Sequence, residues 1–226
     1  MADIRDVITI DGPAGSGKST LAKNLAQSLG WDFLDTGSLY RLVAYVVARD
    51  GGEGKSPAEI LKILESERLD IVLTPNVSRV FCGDTEVTDL IRTPFYSKLA
   101  SDLSALKEVR GFLLATQKTL GAQGKLVTEG RDQGTVVFPE ARLKFFLTAS
   151  PEERARRRQK DLEDLGEEIP FAEILADINL RDHNDSTRTL APLRQPLGAV
   201  MVDSTQLTLA EVLSFMMQKA KEVFGF

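Results

Sequence analysis

The sequence predicts an α/β fold, a parallel β-sheet with helices on both faces, and three observations carry that expectation. Short β-rich runs at Val7 to Asp11, Leu126 to Glu129, Leu143 to Leu147 and Val200 to Asp203 alternate with segments of helical periodicity. The first, third and fourth of these runs are almost continuously apolar, as expected of strands covered on both faces. The 226 residues show no repeat, low-complexity tract or long Pro/Ser linker, so one compact unit carrying inserted subdomains is expected.

A weaker fifth run lies at Trp31 to Asp35. Before it, Leu21, Leu25 and Leu29 recur at helical spacing and Gly30 stops the helix; after it, a second helix runs from Leu39 to Arg49 and ends at Gly51 and Gly52. Between Asp70 and Asp89 the rhythm breaks. The runs Asp70 to Thr74, Ser78 to Phe81 and Thr85 to Thr88, punctuated by Pro75-Asn76 and Gly83-Asp84, predict a small antiparallel meander inserted in the α/β frame. Two helices, Pro94 to Leu106 and Lys107 to Gln123, precede the return to the sheet at Leu126.

Composition removes several classes of function. The only cysteine, Cys82, cannot form an internal disulfide, no basic segment followed by an apolar run opens the chain, and no apolar run approaches the ~20 residues that cross a bilayer. A soluble cytoplasmic protein with no membrane partner is expected. Asp and Glu outnumber Lys and Arg by 33 to 28, a formal charge of -5, which opposes the phosphate-tracking surface of a nucleic-acid binder. No apolar helix face is left over, so a monomer is expected.

The first strand leads directly into Gly12-Pro13-Ala14-Gly15-Ser16-Gly17-Lys18-Ser19, followed by Thr20 and an amphipathic helix. This is the P-loop pattern in its required strand, turn and helix context. Its glycines let successive N–H groups point at one anion, and the helix N-terminus adds partial positive charge. Lys18 then reaches the β- and γ-phosphates of a nucleoside triphosphate, and the Ser19 hydroxyl is placed to ligate Mg²⁺. The chain has no Asn-Lys pair, and so lacks the guanine-reading Asn-Lys-x-Asp segment usual in GTPase switches.

Two further charged clusters fall at the carboxyl edge of the sheet, where open α/β folds bind ligands. Asp35-Thr36-Gly37-Ser38-Leu39-Tyr40-Arg41 offers Thr36 and Ser38, either as helix caps or as ligand contacts, and Arg41, a cation in a first helical turn that needs a facing anion. Glu129-Gly130-Arg131-Asp132 follows a buried strand, with Arg131 either paired to Asp132 or Glu129 or turned to a ligand. Downstream, Ser150-Pro151-Glu152-Glu153 opens a helix in which Arg154, Arg157 and Arg158 share a face, explicable as a basic face in solvent balanced by nearby acids. In the next helix the inward stripe Phe171, Ile174, Leu175 and Ile178 continues into Arg181, Asp185 and Arg188, where charges are costly unless they line a cleft. These two helices, joined through 165–170, suggest a lid that closes over polyphosphate.

With these residues assembled, the chain resembles bacterial cytidylate kinases across nearly its whole length. The carriers are Ile8 to Pro13 with the P-loop, Leu34-Asp35-Thr36-Gly37 with Tyr40-Arg41, Gly130-Arg131-Asp132 with Gly134 to Pro139, Glu152 to Ala155 with Arg157-Arg158, Arg181-Asp182 with Asp185 and Arg188, Ala191-Pro192-Leu193, and Val202 to Thr205. The resemblance implies a P-loop NTPase fold with a five-stranded parallel sheet, the antiparallel β insert at about 69–89 within an acceptor region 38–123, a helical lid at 151–188, and a core of 1–37, 124–150 and 189–226. It implies transfer of the γ-phosphoryl group of ATP, with Mg²⁺, to CMP or dCMP. Ser101, Arg110 and Asp132 would read the cytosine edge, Arg41 and Arg131 hold the acceptor phosphate, Arg181 and Asp185 meet the ribose, and Arg157, Arg158 and Arg188 face the transferring group. Glu129 stands where the family usually has Asp, and Asn184 and Ser186 where some members place arginines. UMP, AMP or another small acceptor on the same fold is the alternative, and a nucleotide-dependent switch without transfer chemistry is a further one.

Overall fold

The strand at the centre of the sheet is apolar apart from Thr9 and Asp11 and is buried at every position, because neighbours pair with both its edges and helices cover both its faces. In this computed structural model residues 6–164 and 166–226 are described; Leu165, in the expected loop between the arginine-bearing helices, lies outside them. The elements run β1 (Val7–Asp11), α1 (Lys18–Leu29), β2 (Asp32–Asp35), α2 (Thr36–Arg49), α3 (Pro57–Ser66), β3 (Leu69–Leu73), β4 (Ser78–Cys82), β5 (Thr85–Glu86), α4 (Pro94–Leu103), α5 (Lys107–Gly121) and β6 (Leu126–Gly130). A five-residue π-helical turn (Gln133–Val137) follows, then β7 (Leu143–Thr148), α6 (Pro151–Glu163), α7 (Phe171–Thr187), β8 (Val200–Asp203) and α8 (Leu209–Phe224).

The expected five-stranded parallel sheet is present in the order β2-β6-β1-β7-β8, and β3-β4-β5 form the antiparallel insert. The register places Asp11 beside Gly130 on one side and Phe146 on the other, so the loops leaving β1, β6 and β7 emerge together at the carboxyl edge. One face of the sheet packs Leu39, Leu42, Val46, Val109 and Phe138; the other packs Leu21, Leu25, Phe145, Val212 and Met216. The helix pair has a separate small core of Ala155, Leu162, Ile174 and Ile178, so α6 and α7 hold each other through the predicted stripe. At ~1.5–3 kcal/mol for each fully buried aliphatic chain, these contacts help keep the helix pair together.

Several boundaries differ from expectation. α2 starts at Thr36 because the Asp35 carboxylate accepts from the Ser38 N–H at 3.1 Å and so caps the helix; Thr36 and Ser38 lie inside the first turn and cap nothing. β5 is only two residues long, since the Thr88 hydroxyl turns inward to take the Val80 N–H. The helix α3, with its Ser56/Glu59 capping box, was not anticipated, nor was the π-helical turn.

Candidate active site

The donor loop is shaped by backbone. Gly12 has φ 154°, and a Cβ there would lie 1.9 Å from the Leu147 carbonyl oxygen, so no other residue fits between β1 and β7. Gly15 and Gly17 adopt φ 74° and 85°, the left-handed region that turns their amides toward a common point. Lys18 opens α1 but is only 5% exposed, and its ammonium donates to the Pro13 carbonyl at 2.7 Å. Burial, and then the charge of Arg131, hold its pKa well below the usual lysine range. The Ser19 hydroxyl donates to the Glu129 carboxylate at 3.0 Å, while burial and the neighbouring Asp35 push the Glu129 pKa up.

Lys18 and Glu129 partly offset each other, yet burial still disfavours the charge on the lysine and on the carboxylate. A polyphosphate would satisfy the first. Among the described residues no three His, Cys, Asp or Glu side chains cluster as a metal cage. One hydroxyl and one carboxylate, with remaining positions left to phosphate oxygens and water, is a donor set suited to Mg²⁺.

Around the carboxyl ends of β2 and β6 the long-range contacts are ion pairs. Asp35 Oδ2 holds Arg41 Nη2 at 3.0 Å, leaving the Arg41 Nε buried with no partner among the described residues. Thr36 donates to the Glu129 carbonyl at 2.8 Å, which locks β2 to β6 at the edge of the site. Arg131 pairs with Asp185 of α7 at 2.7 Å, not with Asp132 or Glu129 as sequence proximity suggested; Asp132 pairs with Arg110 of α5. Arg110 also donates to the Ser104 carbonyl at 3.3 Å, one turn beyond Ser101, which stands exposed on α4. Arg188 donates to the Ala191 carbonyl at 2.7 Å and approaches Asp185 at 3.7 Å. Tyr40, which sequence reasoning noted but gave no role, sits among Arg110, Asp132 and Arg188, and burial pushes its phenol up to about 12.

The helices α6 and α7 depart most from expectation. Arg154 is not part of a basic face in solvent: its side chain is 3% exposed, it donates to the carbonyls of Ala14 and Ala149 at 3.0 Å each, and it pairs with Asp182 at 2.5 Å. Arg157 is held by Glu153 at 3.1 Å and by the Ser204 carbonyl at 2.7 Å, tying α6 to the end of β8. Arg158 is exposed, and Arg181 is half-buried on α7. The structure therefore gathers Lys18, Ser19, Glu129, Arg131, Asp185 and Arg188, with Arg41, Arg110, Asp132 and Tyr40 beside them; among the described residues no hydrogen bond or ion pair joins Ser101, Arg157, Arg158 or Arg181 to this set.

The model of the cytidylate kinase family matches residues 8–222. The chain belongs to the cytidylate kinase family. It is 42% identical over 218 residues to the cytidylate kinase of Caldicellulosiruptor saccharolyticus, covering 96% of each chain. It is 42% identical to that of Salinibacter ruber over 225 residues (97% and 98% of the two chains). Against the cytidylate kinase of Nitrosococcus oceani it is 44% identical over 210 residues (91% and 92%). The match to the cytidylate kinase family spans the P-loop, the β3-β4-β5 insert and the helices α6 and α7 alike. Among the described residues no helix is long and apolar enough to cross a membrane.

Proposed function

We propose that the chain transfers the γ-phosphoryl group of ATP to CMP or dCMP, yielding ADP and CDP or dCDP. The observation that carries this reading is the position of Arg131. Its charge acts on Lys18 of the donor loop, while its guanidinium is oriented by Asp185 of the lid, so one cation borders both substrates. In this reading 1–37, 124–150 and 189–226 form the core, 38–123 the acceptor region and 151–188 the lid.

The Gly12 to Thr20 segment binds the triphosphate through its amides and Lys18, which regains its charge against the γ-phosphate. Ser19 and Glu129 would hold Mg²⁺, which would supply positive charge to the bound triphosphate. An oxygen of the acceptor phosphate attacks γ-phosphorus, the bond to the β,γ-bridging oxygen breaks, and that oxygen leaves on ADP. The attacking oxygen is already anionic at neutral pH, so no general base is needed. Arg41 and Arg131 align the acceptor phosphate, and Lys18 and Arg188 meet the charge spread over the equatorial oxygens, with Arg157 and Arg158 contributing from α6 as the lid closes. Arg110, Asp132 and Ser101 read cytosine, Thr36 supports the acceptor, and Arg181 and Asp185 meet the ribose.

A coupled assay of ADP formation with Mg·ATP and CMP, dCMP, UMP, AMP and GMP tests the reading. CMP and dCMP are the preferred acceptors; equal rates on all five would remove the base-reading assignment, and no turnover on any would remove the transfer chemistry.

A further inference from the structure

Asp11 closes the central strand, immediately before the first glycine of the donor loop, and its side chain has no solvent exposure. Both carboxylate oxygens are engaged: Oδ1 accepts the Gln133 N–H at 2.8 Å and Oδ2 the Gly134 N–H at 2.7 Å. These are the first two residues of the π-helical turn, and the residue before them is Asp132, the partner of Arg110. The Asp132 carbonyl accepts from Val136 and Val137 at 2.9 and 3.2 Å, so the turn is wound on Asp132 from one side and pinned by Asp11 from the other.

A buried carboxylate is an expensive way to satisfy two amides. Desolvation pushes the Asp11 pKa up to about 6 despite both hydrogen bonds and the nearby charge of Lys18. π-Helical turns are themselves uncommon and concentrate at functional sites. Gly134 shows how little freedom the turn has, since a Cβ there would lie 2.8 Å from both the Thr9 hydroxyl and Pro196 Cγ. The geometry points to Asp11 as a positioning residue for acceptor selectivity: by holding the Gln133 and Gly134 amides it presets Asp132, and through it Arg110, relative to the donor loop that begins at the next residue. This rests on the reading of Asp132 and Arg110 as base-reading groups. Asp11 itself touches neither substrate in this scheme.

The test is Asp11→Asn, which replaces one acceptor oxygen by an amide that faces an N–H. Expected is a rise in KM for CMP of ~10-fold or more and a comparable fall in the CMP-over-UMP ratio of kcat/KM, with KM for ATP within about twofold, because misplacement of a recognition group by about an ångström costs on that order. A uniform loss that leaves the CMP-over-UMP ratio unchanged overturns the proposal, since a merely structural residue would give that result. If the variant does not fold, amide hydrogen exchange of the unmodified protein decides. The Gln133 and Gly134 amides should be protected as slowly exchanging as the β1–β6 ladder before CMP is added; protection that appears only with CMP overturns the presetting. Loss of CMP preference in the unmodified protein would instead overturn the functional reading, leaving the exchange result to judge Asp11.

Discussion

With the roles proposed above, the donor loop and the acceptor side of this kinase are built by different means. The donor loop is local: eight consecutive residues, three of them glycines with positive φ, shape an anion nest whose single lysine rests on the carbonyl five residues before it. The acceptor side is assembled from afar by opposite charges, Arg41 with Asp35, Arg110 with Asp132, and Arg131 with Asp185. A backbone nest awaits its ligand without an internal competitor. Paired arginines are oriented beforehand, but an incoming acceptor must share each guanidinium with a carboxylate that already holds it. The donor side should therefore fail abruptly when altered, and the acceptor side by degrees.

Lys18→Ala gives the largest expected effect. Removal of the buried ammonium should lower kcat by ~10³-fold, about 4 kcal/mol of transition-state stabilisation, as for loss of a preorganised charge at a transferring group. Steady-state kinetics with folding verified by circular dichroism would check it, and a loss below tenfold would place the γ-phosphate elsewhere.

Gly12→Ala comes next and acts on the fold. With its Cβ driven against the Leu147 carbonyl, the loop must move away from β7, at a cost of about 3 kcal/mol or more. A urea midpoint lowered to match would agree; an unchanged midpoint would mean that the loop is not fixed by its backbone.

Asp185→Asn probes the other region. It loosens Arg131 without removing it, and the expected result is a rise of ~10-fold in KM for CMP, about 1.4 kcal/mol, with KM for ATP within about twofold. An equal rise in both constants would show that the two regions are not separable.

This division also governs what could be read from the sequence. The loop was legible residue by residue because its function follows from contiguous spacing, and the sheet was legible because strands buried on both faces need continuous apolar runs. The partners of the arginines were not. Arg131 has two acids within reach along the chain, yet it pairs with Asp185, 54 residues on, because Glu129 faces Ser19 and Asp132 faces Arg110. Arg154 carries the same helical signature as Arg157 and Arg158, and only the approach of Gly15, whose absent Cβ would lie 3.2 Å from that of Arg154, puts it beneath the donor loop. The α3 capping box at Ser56 and Glu59 was a local signal that could have been recognised. The π-helical turn had none, since it depends on Asp11, 122 residues away from Gln133.

The smallest expected effect separates the two regions by chemistry. The donor cation can lose its proton and the acceptor cations cannot, because a guanidinium stays charged at any working pH. In the free protein, burial and Arg131 hold the Lys18 pKa down, so near pH 8 part of the population carries a neutral amine. A bound triphosphate favours the charged form and raises that pKa, so binding must draw protons from the medium. At pH 8 the phosphates of ATP and CMP are already fully ionised, and neither ligand brings a proton of its own. Titration calorimetry of Mg-free ATP in buffers of different ionisation enthalpy should show uptake of a fraction of a proton per site, CMP should show none, and Lys18→Ala should abolish the uptake. Equal uptake with CMP would mean that the acceptor phosphate, too, is met by a titrating group, and the contrast between a backbone nest with one labile charge and a set of fixed, paired guanidinium groups would fall.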